Sequence, residues 1–234
     1  MGQLRSFNCY ADGRNKGFCV HCGGPYETDD HVPSKVLLDE PYPDNLIVCP
    51  SCLKCNNDLS ADETYLACLL ECVIAGEALP SMLRRTKIAN VLEHNEALLK
   101  RLEHARTDGE AGKIWHVEND RVRAVLLKLA RGHAAYEHNQ PQLQEPDYVD
   151  FRPLSAMNEN ERAAFEGAEE GGLAAWPEVG SRAMQRLLIV DADVFSEGWV
   201  TVQDRNYRFH VSDENGMAVR IVLREYLACQ VVWE

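Results

Sequence analysis

The sequence predicts an α+β protein with three parts in chain order: an N-terminal hairpin-and-helix module stapled by zinc, a central helical region, and a small antiparallel β-sheet. Three observations predict it. Two Cys-x2-Cys pairs bracket an Asp-His dipeptide between residues 19 and 56. Apolar residues recur at helical spacing from about residue 60 to 137. Beyond residue 180 the pattern changes to strand alternation.

Composition narrows the class. With 234 residues and 45% hydrophobic side chains the chain can bury an ordinary core. No run of 18 apolar residues occurs, and the first residues carry no apolar segment of an export signal, so a cytoplasmic protein with no membrane partner is expected. Nine cysteines, an odd number, fit metal-binding thiolates better than a disulfide framework. A net charge of −13 argues against nucleic acid, but residues 81–135 are locally basic, with Arg84, Arg85, Lys87, Lys100 and Arg101 among their cations.

The elements follow in order. Cys22-Gly23-Gly24-Pro25 reads as a tight knuckle, and a short strand should end at Asp30-His31, since Pro33 keeps Val32 out of the helical region. Leu46-Ile47-Val48 is a second strand, and the two form a hairpin. Cys52 to Asn57 is expected to make a helical turn, and Ser60-Ala-Asp-Glu63 a capping box opening a helix to about residue 78. One long helix is expected from Ser81 to Arg106, a loop over residues 107–112, and a third helix from Asn119 to Glu137, closed by Pro141. Residues 139–180 read as a connecting region with a short helix near 158–168. Strands are expected at 186–190, 199–203, 207–211 and 217–233, with turns at Asp204-Arg205-Asn206 and at Asn215-Gly216. The expected divisions are therefore 1–80, 81–140, 141–180 and 181–234.

Two Cys-x2-Cys pairs supply the four soft thiolates of a closed structural zinc site. Cys19 and Cys22 form one pair. The other is open, because Cys49, Cys52 and Cys55 overlap at the same spacing; Cys52 with Cys55 is favoured, Cys49 with Cys52 is the alternative. Cys68 and Cys72, four apart on a helix, read as buried small residues, and His21 as a non-ligand side chain of the knuckle.

The order Cys-x2-Cys, Asp30-His31-Val-Pro-x-Lys35, Asn45-Leu and Cys52-x2-Cys55-Asn56 resembles the zinc-containing HNH endonucleases, over roughly residues 19–65. Lys128-Leu-Ala-Arg-Gly132 also looks like a helix found after the module in such proteins, with less specificity. The resemblance implies a ββα-metal fold that hydrolyses double-stranded DNA. His31 matches the general base, Asp30 and Asn56 the holders of a catalytic Mg²⁺ or Mn²⁺, and Asn45 the residue that orients the histidine. Lys35 is placed to meet a substrate phosphate. The C-terminal sheet would serve target choice or a homodimer interface. Departures are Asn56, where many members have His, and Cys49, where an apolar residue is expected. The alternative function is a non-catalytic zinc module binding nucleic acid or protein; a third is RNA cleavage.

Overall fold

The computed structural model describes residues 17–43, 46–109, 112–167, 195–196, 198–213 and 216–234. Asn45 and the strand expected at 186–190 lie outside them. The chain divides into two compact units, one formed by residues up to Asn57 together with Leu126–Glu234, the other by Asp58–Val125.

The first unit begins with the expected hairpin. Strand β1 (Thr28–Val32) pairs antiparallel with β2 (Ile47–Ser51), placing Asp30 opposite Cys49 and His31 opposite Val48. Between them Lys35–Leu37 forms a 3₁₀ turn. Helix α1 (Leu53–Asp58) follows directly. Leu59 is itself in helical conformation (φ −90°, ψ −5°), so the chain reaches α2 (Ser60–Ala75) already coiled, and Ser60 is a helical residue rather than the expected cap. The capping box is therefore not formed. Gly76, left-handed at φ 73°, ends α2 three residues earlier than expected, its N–H bonding Val73 O.

In the second unit the long helix expected from 81 to 106 is broken. It becomes α3 (Thr86–Glu93) and α4 (Glu96–Ala105), because Asn95 leaves the helical region and its side chain caps α4 by accepting from Leu98 N at 3.0 Å. Ile88, Leu92, Leu98 and Leu102 are buried, as their spacing predicts. The stretch read as a loop is a hairpin of β3 (Arg106–Gly109) and β4 (Gly112–Trp115). The Tyr65 hydroxyl on α2 accepts from Glu118 N at 3.0 Å, and the Arg121 guanidinium stacks over the same ring.

Helix α5 (Asn119–His138) spans the range expected of the third helix, and its residues from Leu126 onward belong to the first unit. There it packs on β1 at Gly132. It also meets the C-terminal sheet, where the His133 ring stacks on Phe209 at 3.7 Å and its Nε2 lies 2.8 Å from the Tyr207 hydroxyl.

That sheet is antiparallel and six-stranded in the order β5 (Tyr148–Pro153), β10 (Leu227–Trp233), β9 (Met217–Leu223), β8 (Tyr207–Ser212), β7 (Trp199–Gln203), β6 (Phe195–Ser196). Two points differ from expectation. Strand β5 lies inside the stretch read as a connection and pairs with β10 along its length. The single strand expected at 217–233 is a hairpin, turned by Arg224 (φ 58°) and Glu225 (φ 47°). The left-handed region usually selects Gly or Asn, so this turn carries no compositional signal. Helix α6 (Glu159–Glu166), capped by Asn158, covers one face through Phe165, which packs with Leu154, Trp199, Val222 and Ala228. Strand β5 and the end of α5 belong to the same compact unit as the hairpin and the sheet. Among the described residues no helix is long and apolar enough to cross a membrane.

Candidate metal centre and hydrolytic site

The knuckle before β1 brings the first thiol pair together. Cys19 N donates to Gly24 O at 2.7 Å and Gly23 N to Cys19 O at 2.9 Å, a reversal that needs Gly23 at φ 74°. Cys52 sits at the end of β2 and Cys55 one turn into α1, whose N–H donates to Cys52 Sγ at 3.3 Å. The four sulfurs of Cys19, Cys22, Cys52 and Cys55 lie within 4.8 Å of one another and can hold a structural metal ion such as zinc. Cys22 and Cys52 are 3.8 Å apart at sulfur. Tetrahedral zinc with Zn–S bonds of about 2.3 Å requires S–S separations of about 3.8 Å.

Cys49 is outside this cluster. Its side chain points inward from β2, 1% exposed, and donates to Gly132 O on α5 at 3.4 Å. The alternative pairing of Cys49 with Cys52 is thereby set aside. Within the cluster, burial opposes ionisation of Cys19, but N–H groups of Cys52, His21 and Cys22 and the Ser51 hydroxyl outweigh it and bring the thiol down to about 6. Burial, then the neighbouring Cys22 and Cys52 sulfurs, push Cys55 up. A cation is the natural remedy for four thiols so placed.

Strand alternation divides the Asp-His dipeptide. Asp30 and Val32 face inward, whereas Asp29 and His31 lie on the other, more exposed face. The inward Asp30 carboxylate is enclosed: its Oδ2 is 2.9 Å from Lys128 Nζ and 3.1 Å from His21 Nε2, with the Lys128 and Asp30 side chains 2% and 5% exposed. Burial alone would raise its pKa, but the His21 hydrogen bond and the Lys128 charge hold it below the usual carboxylate value. Arg131, one turn further along α5, donates to His21 O at 3.3 Å and to Gln144 O at 2.9 Å.

On the outer face, the His31 imidazole is half-buried. Its pKa is lowered, first by desolvation and then by the Lys35 charge, against the opposing pull of Asp30 and Asp29. Lys35 extends from the 3₁₀ turn with its ammonium over the Tyr42 ring at 5.7 Å. From α1, Asn56 Nδ2 donates to Asp29 O at 3.4 Å, and Glu27 Oε2 accepts from Leu53 N at 2.9 Å, tying the helix start to β1.

Set against known proteins, the chain matches no family model, no curated protein and no solved structure. The site is therefore read from its own geometry.

Each of the two residues expected to share a divalent ion has one polar atom already engaged. Asp30 Oδ2 already carries an ammonium and an imidazole, while Asn56 bonds Asp29 O through its amide nitrogen, not through the oxygen that would bind an ion. A hard cation of this kind needs oxygen ligands that converge. Two residues of this site carry no role in the motif: His21, read only as a knuckle side chain, and Lys128. Lys128 had a signal, since it interrupts the apolar run Val125-Leu-Leu-Lys-Leu-Ala130 on a face that must be buried, and a buried ammonium requires an acid.

Proposed function

We propose that the zinc-stapled hairpin and helix hydrolyse phosphodiester bonds in double-stranded DNA, with His31 as the general base. The observation that carries this reading is the placement of His31 on the more exposed face of β1, where partial burial and the Lys35 charge favour the unprotonated imidazole that can accept a proton. Zinc supplies the fixed frame, because the thiols that bind it flank both strands. In the proposed step His31 takes a proton from the attacking water as the water oxygen bonds to phosphorus. The bond from phosphorus to the leaving sugar oxygen breaks, that oxygen takes a proton from solvent, and the Lys35 ammonium meets the charge gathering on the phosphate. No step is routed through a divalent ion, because Asp30 Oδ2 is already engaged by Lys128 and His21. Zinc-loaded protein should nick supercoiled plasmid, and His31→Ala should lower the rate by about 10²-fold or more while retaining zinc.

The enclosure of Asp30 by Lys128 favours a second reading, a non-catalytic zinc module that binds nucleic acid or protein. On that reading the four cysteines are required and His31 is not. Equal DNA affinity of wild type and His31→Ala, with no cleavage by either, would select it.

A further inference from the structure

Buried charges are retained only when paired, and the partner of Asp30 comes from a distant part of the sequence. Lys128 reaches it from the middle of α5, where Val125, Leu126 and Leu129 are also buried. The approach of this helix is fixed one turn beyond the lysine: Gly132 lies against Val32 on β1, and Arg131 bonds the knuckle carbonyl of His21. The groups facing Asp30 are thus Lys128 from α5, His21 from the knuckle and Cys49 across the hairpin. Aspartate and lysine together are neutral. A divalent ion added at this carboxylate would meet the ammonium at close range in a poorly hydrated site, where repulsion is weakly screened.

We propose that Lys128 is the resident cation of Asp30, keeping divalent metal ions off this carboxylate, and that the carboxylate becomes a divalent-ion ligand once the ammonium is removed. This goes beyond the hydrolytic reading and does not depend on it, because the test reads binding alone. The probe is Mn²⁺, titrated into the zinc-loaded protein while free Mn²⁺ is counted by electron paramagnetic resonance.

Lys128→Met should gain one Mn²⁺ site at least tenfold tighter than any in the wild type. The gain should vanish in Lys128→Met with Asp30→Asn, and Lys128→Arg should behave as wild type because it keeps the cation. The proposal is overturned if Lys128→Met binds Mn²⁺ no more tightly than wild type. Should Lys128→Met fail to fold, judged by zinc content and near-UV dichroism, Asp30→Asn alone decides. Unchanged Mn²⁺ affinity supports the resident cation, and a tenfold loss overturns it.

Discussion

A β-carbon at Gly132 would lie 2.6 Å from Val32 Cγ2, so α5 and β1 touch backbone to side chain at this point. The same helix places Lys128 on Asp30 and His133 on the C-terminal sheet, which makes this contact the seat of the site's geometry. Gly132→Ala should cost about 1–3 kcal/mol of stability in urea unfolding, as overpacked cores do. Adding Val32→Ala should recover part of that loss. Unchanged stability in Gly132→Ala would mean that the helix and strand do not meet as described.

The thiol cluster makes a separable prediction. Serine at Cys19, Cys22, Cys52 or Cys55 should abolish stoichiometric zinc and lower the melting temperature, since binding to such a site contributes directly to folding. Cys49→Ser should retain one zinc per chain, because its sulfur faces Gly132 O and not the cluster. Metal content of the purified variants, measured by a colorimetric chelator, checks both. Loss of zinc from Cys49→Ser with its retention in Cys55→Ser would reverse the ligand assignment.

Asp30 predicts acid sensitivity. Its folded pKa lies below its unfolded value of about 3.9. The stabilisation is thus fully present above that value and lost as pH falls through the folded pKa. Urea midpoints measured between pH 5 and pH 3 should fall more steeply for wild type than for Asp30→Asn. Parallel curves would show that the enclosed carboxylate makes no differential contribution.

Much of the architecture was legible from periodicity. The hairpin of β1 and β2, the buried stripe Ile88, Leu92, Leu98 and Leu102, the full extent of α5 and the alternating C-terminal strands all follow local patterns that burial then used. The failures have physical causes. Asn95 was a cap signal hidden inside a continuous apolar stripe, and Arg224 and Glu225 turn a hairpin without glycine. Asp30 and His31 have separate expected roles, a strand sends such neighbours to opposite faces, and packing against α5 determines what the inward Asp30 meets. Thiol spacing narrowed the metal cluster to two choices, and the inward side chain of Cys49 decided between them.

With His31 as the proposed general base, a pH dependence of cleavage follows. A general base acts unprotonated, and the imidazole is held below its ordinary value of about 6.5. The rate should therefore rise with pH to a midpoint below that value and stay level from neutral pH upward. A midpoint above pH 7 would assign the proton transfer to another group.

The most direct measurement is nicking of supercoiled plasmid by zinc-loaded wild type and by His31→Ala of equal zinc content, at neutral pH. The account predicts nicked circles with wild type and a rate lowered by about 10²-fold or more with the variant. Equal rates in two folded, zinc-loaded proteins would contradict it.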